Sequence, residues 1–550
     1  MTLKLMTRIV VAAAAGAVLN GSAYAQVVSS ATGELELTLE EAVRRAVDHN
    51  PDLAIVRLDT EIGAAQVAES RGAFVPVFST VAARSSAVTP ASSLLAGDRR
   101  SVSVDDWFSS AGVRQRLPWG SGTWGVTWDT ARTATDSLFS SFDPSLQSGF
   151  QVAFSQPLLK DRAMDSARHQ YVIAKQNQES SELQFRESAV QTVAAVKEAY
   201  WTLKAAMANV TVQQRSLDIA QELVRQNRVR VQAGEAAPID LVQAEAEVAQ
   251  RREALIRANA TAGDAEDRVR RLIMDPADET FWRVRLNPVD EPVGPGLVPD
   301  VDAAVANALK SRYDLARART DLATAATDVE YFTNQKLPDL RFETSYRGSG
   351  LGGTQLLRTG TFPGIVSGSQ RTTLGDAVGQ VLGGDYPAWS VGVTISYPLG
   401  QSYEEAGLVR SEIARRQAAH RVASLQLDAA ESIRQAARQV QSTSERIGAA
   451  RAGATFAEQR LDAEQRRYEV GLSTTFLVTQ AQRDLVQAQV NLLQAMLDYQ
   501  SSLVRFEALQ QAPPRGGSTM AIGLNGSSIV WLPTPAPSGL FRQSAGGGGP

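Results

Sequence analysis

The chain has 550 residues, no cysteine and a formal net charge of −4. Its charges are spread along the sequence without a basic block, which excludes the electrostatic footprint expected of a nucleic-acid-binding protein. The lack of cysteine excludes disulfides and a cysteine-linked lipid anchor, so packing must hold the fold together.

The N-terminus is typical of an export signal. Lys4 and Arg8 precede an apolar run over residues 9–19, and the small-residue triplet "AYA" follows. We therefore predict a signal peptide over residues 1–25, with Gln26 as the mature start. A membrane anchor is the alternative, although the run is shorter than the ~20 residues that span a bilayer. No later stretch has the length and apolarity of a transmembrane helix, so any membrane-spanning part would consist of strands.

An internal repeat of about half the chain organises the rest of the sequence. "TLEEAVRRAVDHNPDLA" from Thr38 aligns without gaps with "DVDAAVANALKSRYDLA" from Asp300. Both first residues are good N-caps, and Thr38 would complete a capping box with Glu41. Each copy is expected to open with a helix, over 38–72 in the first copy. The predicted divisions are repeat 1 over residues 26–297, repeat 2 over 298–511 and a flexible tail over 512–550.

After each opening helix, the sequence alternates with the period of a strand, as residues 340–346 show. "GFQVAFSQPLL" (149–159) aligns with "WSVGVTISYPL" (389–399), and Pro157 and Pro398 close the two strands at the same place. Strands that are apolar on one face and polar on the other fit a sheet between lipid and a lumen, or a soluble sandwich. We expect two main strands in each copy.

A stripe of apolar residues then recurs every seven positions, and the two copies are offset by 237 residues. It predicts a long helix over 160–232, a turn at Gly234 and a shorter helix over 238–272. At 1.5 Å per residue, the long helix would extend ~110 Å. Such heptads impose a left-handed supercoil on packed helices. The stripe comprises Val196, Leu203, Val210, Leu217, Val224 and Val231 in copy one, and Ile433, Val440, Ile447, Ala454, Leu461 and Tyr468 in copy two.

These lengths predict the architecture. Stacked end to end, the two shorter helices of a copy match its long helix, so two copies give four helical columns. Four strands cannot close a barrel, and an open sheet edge is not tolerated in hydrocarbon. If the strands lie in a membrane, a symmetric oligomer is therefore required. Outside a membrane, the same elements would form a rod.

Two segments lie outside the repeat pattern. Residues 105–131 have no counterpart in copy two, and we expect them to extend the sheet or to form an outer loop. The tryptophans in and near this segment fit either an interfacial aromatic belt or a buried sandwich core. Residues 349–385, rich in Gly, Ser and Thr, are predicted to form a cell-surface loop. The tryptophans are Trp107, Trp119, Trp124 and Trp128.

No catalytic constellation is found in the sequence. "GSGTWG" at 120–125 matches a dinucleotide-binding pattern, but strand-like residues follow it where a helix is needed. His49, His169 and His420 are scattered, without a second ligand at helical spacing. We expect no enzyme activity, cofactor or metal site.

From Leu37 to Gln510, the chain resembles the TolC-type outer-membrane efflux proteins. The resemblance rests on "LTLEEAVRRAVDHNPDL", "SQPLL" and "RYEVGLSTTFLVTQAQRDLVQAQVNLLQAMLDYQ". It implies a homotrimer with a 12-stranded β-barrel in outer-membrane lipid, continuous with a 12-column α-helical tunnel across the periplasm. It also implies docking on a periplasmic adaptor and an inner-membrane pump.

The resemblance places the two glycine turns at the tunnel mouth, although glycine is also the ordinary choice for ending a helix. The implied adaptor-binding tips are Ala233, Gly234 and Glu235, and Val470, Gly471 and Leu472.

In that family, an Asp six residues after the first glycine and a Tyr three before the second hold the mouth shut, together with an Arg two after the second. Asp240 and Tyr468 match this pattern, and Ser473 stands where the Arg would be. We expect an Asp240–Tyr468 hydrogen bond to close the mouth; the alternative is that Asp240 only complements the helix dipole. Leu477 and Gln480 replace the family's acidic ring, so polyvalent cations should block weakly. The predicted constriction comprises Asp240, Gln243, Tyr468, Ser473, Leu477 and Gln480.

The resulting interpretation is a passive duct in the outer membrane of a Gram-negative-type cell, serving a tripartite efflux or type I secretion system. The alternative is a periplasmic or surface coiled-coil scaffold without transport activity. The transported substrate, the pump class and the resting state of the mouth stay open.

Overall fold

A computed structural model of the chain describes residues 33–90, 100–138, 140–275, 281–292, 294, 296, 299–361, 364–400 and 402–513. The expected signal peptide, and the expected tail beyond residue 513, lie outside the described residues. Within the described ranges, none of the helices contains a segment long and apolar enough to cross a membrane.

The long helices are present as predicted. They form two hairpins, each with one helix of 67 residues, or about 100 Å at 1.5 Å per residue. The first begins at Ser166 rather than at 160, because the side chain of Asp165 accepts the backbone N–H of Arg168 and caps it there. The hairpins consist of α3 (Ser166–Gln232) with α4 (Pro238–Ile273), and α8 (Tyr403–Glu469) with α9 (Thr475–Leu509).

The opening helix of each copy is broken in two, which the sequence analysis did not predict. In copy one, Asn50 ends the first helix and caps the second. The next residue, Pro51, has no N–H and favours an extended conformation at Asn50. The expected capping box is only half formed. Thr38 accepts the N–H of Glu41, but the carboxylate of Glu41 binds Arg44 and Arg45. The pieces are α1 (Leu39–His49), α2 (Pro51–Gly72), α5 (Val301–Ser311) and α6 (Tyr313–Gln335).

The helices pack into the four columns that their lengths predicted. α3 contacts α2, α4, α6 and α9, and α8 contacts α6 and α9. The columns are therefore α2 with α4, α3, α6 with α9, and α8. Heptad residues form their core: Val196, Leu203, Ile433 and Val440 are fully buried.

A small two-stranded parallel sheet lies beside the columns at mid-height. It pairs β1 (Glu34–Leu37) with β6 (Arg285–Pro288). The fully buried side chain of Tyr200 on α3 fixes it there, since its hydroxyl lies 3.0 Å from the carbonyl oxygen of Leu37 and 2.7 Å from the carboxylate of Asp290. Burial in this site, followed by the hydrogen bond to Asp290, raises the pKa of Tyr200.

The main sheet has seven strands in the described residues: the four main strands expected, two more because segment 105–131 extends the sheet, and β8 from the region 349–385. It runs in the order β2, β3, β4, β5, β7. Both β8 and β9 pair with the side of β7 that faces away from β5. The segment 105–131 supplies most of β3 and β4, which lie between β2 and β5. The strands are β2 (Val77–Pro90), β3 (Ser101–Arg116), β4 (Thr123–Thr135), β5 (Phe142–Pro157), β7 (Asp339–Thr359), β8 (Ile365–Thr372) and β9 (Pro387–Ser396).

The predicted cell-surface loop at 349–385 also has regular structure. It contains the end of β7, all of β8 and a ten-residue helix, α7 (Leu374–Gly383). Thr373 and Asp376 form a complete capping box at the start of this helix. α7 lies against β7 at Gly350, where an added Cβ would be 1.9 Å from the carbonyl oxygen of Ala377. Glycine therefore permits this close approach.

At the end nearest the helices, the two faces of the main sheet differ in polarity. One register row crosses the sheet with only apolar residues, and the next row, on the opposite face, has small or polar ones. This apolar end is open in the protomer, as the 75% exposure of Trp389 and 70% of Ile395 show, whereas α7 covers the same face further along β7, at Gly350. The apolar row is Phe78, Val113, Val126, Val152, Tyr346 and Trp389, and the polar row is Ser79, Gly112, Thr127, Gln151, Arg347 and Ala388.

Candidate functional site

The two helical hairpins turn by the same device, at the end of the columns far from the main sheet. Gly234 and Gly471 both have φ +79°, in the left-handed region that glycine adopts without strain. After each glycine, the next N–H returns to the helix: Glu235 N donates to Arg230 O at 2.8 Å, and Leu472 N donates to Arg467 O at 2.7 Å. Both turns are thus Schellman caps.

Both tips are exposed, and the second tip is apolar. Val470 and Leu472 flank the second glycine and are largely exposed, and Phe476, the second residue of α9, has a similar exposure. In the first tip, Ala233 and Glu235 are also exposed. An exposed apolar tip rimmed by polar residues is a feature of surfaces that contact other proteins.

Close to the tips, one buried hydrogen-bond network joins all four helices of the two hairpins. Tyr468 on α8 is 7% exposed, and its hydroxyl donates to the side-chain oxygen of Asn227 on α3. Thr475, at the start of α9, donates to the same hydroxyl at 3.4 Å. The side-chain N–H of Asn227 lies 3.4 Å from the backbone carbonyl of Asp240 on α4. Arg230 covers the ring of Tyr468 at 4.7 Å from its centroid.

This arrangement corrects the expected bond between Asp240 and Tyr468. Asn227 lies between them, and Asp240 contributes only its backbone carbonyl. The carboxylate belongs to the first turn of α4, where the helix dipole stabilises an acidic side chain. Asn227 was missed, although its place seven residues after the buried Ala220 and four after the buried Leu223 is the usual form of a buried polar heptad residue.

A second link joins α4 to α9 further from the tips. Glu247 on α4 has a side chain only 3% exposed, and it pairs with Arg483 on α9 at 2.5 Å and with Arg251 at 2.6 Å. Burial alone would raise the pKa of Glu247, but the hydrogen bonds and charges of the two arginines outweigh it and lower that pKa. This link could not be predicted, since nothing local in the sequence shows which arginine a buried glutamate meets.

The other predicted constriction residues are not gathered into one cluster. Ser473 donates to the carboxylate of Glu464 at 2.5 Å, and Gln480 donates to Asp484 at 2.9 Å. Leu477 and Gln243 are exposed in the protomer. The structure therefore brings Tyr468 together with Asn227 and Thr475, and leaves the remaining residues on or near the surface.

Elsewhere in the described part of the chain, no group of three or more His, Asp or Glu side chains is placed to hold a metal ion. His169 lies 2.7 Å from Asp328 and stacks on Tyr331, and His49 lies 3.6 Å from Asp275. A strand, β4, follows the "GSGTWG" segment, as expected.

Comparison with known proteins identifies relatives of the whole architecture. The outer membrane efflux protein family matches residues 42–273 and 304–510. The chain is similar to the Campylobacter jejuni CmeC outer membrane channel, at 15% identity over 86% of this chain and 85% of that chain, with a TM-score of 0.61. It is also similar to the open state of the Neisseria gonorrhoeae MtrE outer membrane channel, at 17% identity over 86% and 89%, with a TM-score of 0.58. A membrane protein from Pseudomonas aeruginosa matches at 19% identity over 86% and 93%, with a TM-score of 0.61. No curated protein matches the chain.

Proposed function

Because the chain belongs to the outer membrane efflux protein family, as its sequence resemblance indicated, we propose that it is the passive exit duct of a tripartite efflux or type I secretion system. The observation that carries this proposal is the sheet, whose end nearest the helices is apolar and open on one face and polar on the other, joined to helices about 100 Å long. A closed sheet of this kind suits a lipid bilayer, and the helices have the length to continue the duct through the periplasm.

A homotrimer is the proposed assembly. β2 and β9 are the two edges of the sheet along its apolar row, and both are exposed along their whole length. β2 runs away from the helices and β9 runs back towards them, so β2 of one protomer can pair antiparallel with β9 of the next. Closure in this way removes the open edges that hydrocarbon does not tolerate.

The proposed tunnel follows from the same closure. Four helical columns per chain give twelve around a trimer, with each α8 beside α2 and α4 of the next protomer. We assign repeat 1 to residues 26–297 and repeat 2 to 298–511. If β2, β5, β7 and β9 alone formed the wall, the barrel would have the 12 strands that the resemblance implies.

We place the mouth of the duct at the two Schellman tips. In this proposal, the Tyr468 network and the Glu247–Arg483 link hold the hairpins together in the closed state. The constriction residues Gln243, Ser473, Leu477 and Gln480 would face neighbouring protomers. The exposed tips around Gly234 and Gly471 would contact a periplasmic adaptor, which brings the inner-membrane pump and most of the specificity for cargo.

Membrane fractionation with native mass spectrometry tests this assignment. The duct predicts a trimer that is extracted from the outer-membrane fraction only by detergent. A monomer or dimer in the soluble periplasmic fraction would instead support the coiled-coil scaffold.

A further inference from the structure

The hairpin formed by β3 and β4 has no equivalent in the second repeat, yet it continues the main sheet. β3 pairs with β2 from Val77↔Arg114 to Pro90↔Ser101, and β4 pairs with β5 from Thr123↔Ser155 to Thr133↔Ser145. β8 and β9 pair with successive parts of the same side of β7, and so occupy one position. The sheet therefore has six strand positions: β2, β3, β4, β5, β7, and β9 with β8.

The polarity of the hairpin matches that of the strands on either side. Val113 and Val126 supply its share of the apolar row, between Phe78 on β2 and Val152 on β5. On the opposite face, Gly112 and Thr127 continue the row of small and polar residues. In an outer loop, the polarity of the two strand faces would not need to match that of the neighbouring strands in a membrane wall.

Side chains on the polar face tie the hairpin to the rest of the sheet. Arg347 on β7 reaches across β5 to Asp129 on β4, at 3.0 Å. It passes over Gly149 of β5, where an added Cβ would lie 2.7 Å from the carboxylate of Asp129 and 2.9 Å from the guanidinium of Arg347. This pair forms only if β4 lies directly beside β5.

The turn of the hairpin is also anchored to the helical part. Ser121 in the turn is 6% exposed and accepts a 2.5 Å hydrogen bond from Arg168 in the first turn of α3. Gln156 of β5 donates to the carbonyl of Gly120 at 2.7 Å, and Arg116 lies 3.4 Å from Asp165, the cap of α3. The turn between β3 and β4 is therefore fixed at the level where the strands pass into the helices.

We propose that the β3–β4 hairpin is part of the membrane wall, so that the trimer closes a barrel of 18 strands, six from each chain. This rests on the proposed trimeric duct. The strands still alternate in direction around the whole barrel, because a hairpin adds one strand each way. Barrel diameter grows about linearly with strand number, so the exit is roughly 1.5 times as wide as that of a 12-stranded barrel.

Site-directed spin labelling tests the position of the hairpin. The chain has no cysteine, so single-cysteine variants need no further substitution. Val126→Cys and Thr127→Cys are neighbours on opposite faces of β4, and their register partners Val152→Cys and Gln151→Cys provide the matched controls on β5. Each labelled protein, as the full chain in liposomes, is probed by power saturation with oxygen, which partitions into lipid, and with a water-soluble nickel chelate.

The proposal predicts that labels at 126 and 152 are both accessible to oxygen and shielded from nickel, and that labels at 127 and 151 show the reverse. Accessibility of 126 and 127 alike to nickel, with 152 still in lipid, would overturn the 18-stranded wall and leave the duct intact. Exposure of both 126 and 152 to nickel would contradict the proposal that these strands lie in a membrane, and with it the proposed function.

A second variant tests the contact of β4 with β5 independently. Gly149→Ala should shift the Tm of the trimer downwards, because its Cβ would push apart the ends of the Asp129 and Arg347 side chains and break their ion pair. Gly125→Ala, also in a central strand, meets its neighbours only at 3.7 Å and should not. Equal Tm values for the two variants would contradict the proposed neighbourhood of β4 and β5.

Discussion

Removing one hydroxyl group at the mouth should open the duct. Tyr468→Phe keeps the ring beneath Arg230 but takes the donor away from Asn227, which is 0% exposed and cannot turn to water instead. Leaving a buried acceptor without its donor costs about 1–3 kcal/mol. If that network exists only in the closed mouth, the open state gains roughly 5- to 150-fold in relative population.

The measurement is the open probability of single channels in planar bilayers. Tyr499→Phe is the matched control, because Tyr499 is equally buried but its hydroxyl has no hydrogen-bond partner in the described structure. Asp240→Ala should also leave the open probability unchanged, since only the backbone of Asp240 takes part.

The double variant Asn227→Leu with Tyr468→Phe should recover part of the loss, because it removes the amide acceptor together with its donor. Only the Thr475 hydroxyl and the Asp240 carbonyl then lose a partner, each from a longer bond of 3.4 Å. Wild-type gating in Tyr468→Phe would contradict a mouth held closed by the Tyr468 hydroxyl. So would an Asp240→Ala channel that opens as strongly as Tyr468→Phe.

Three further predictions concern the same end of the molecule. Glu247 has a lowered pKa, so the stability it contributes is present above its ordinary pKa and is lost as the pH falls through the lowered value. Arg483→Gln should therefore move the acid unfolding transition, followed by circular dichroism, to higher pH; an unchanged transition would show that the link contributes nothing. Gly234→Ala should cost about 1–2 kcal/mol in the left-handed turn and speed amide hydrogen exchange at that tip, whereas Gly263→Ala, inside α4, should stabilise by about 0.5–1 kcal/mol. Trivalent hexaamminecobalt should block the channel weakly and should block Leu477→Asp strongly; strong block of the wild type would contradict the assignment of the constriction.

Much of the helical architecture could be predicted from the sequence. Heptads continue through both copies, and such long registers show helix length and packing face together. The break at Asn50 was missed because the heptad and repeat arguments were applied over 38–72, although the following proline indicates it. The positions of the two turns were correct because glycine is needed where φ is positive.

The sheet and the mouth were harder to predict for physical reasons. The repeat could not reveal β3 and β4, which have no counterpart in the second copy, and their pairing with β2 and β5 depends on contacts distant in sequence. The Gly- and Ser-rich composition of 349–385 concealed α7, whose capping box at Thr373 was the available signal. The partner of Tyr468 is 241 residues away and could be identified only from the packed hairpins.

The proposed function requires that the chain form an aqueous duct through a membrane. The decisive experiment is single-channel recording of the purified trimer, starting at Gln26, in planar bilayers. We expect discrete ohmic channels whose open probability increases in Tyr468→Phe. A folded trimer that inserts but carries no current, in the wild type and in Tyr468→Phe alike, would contradict it.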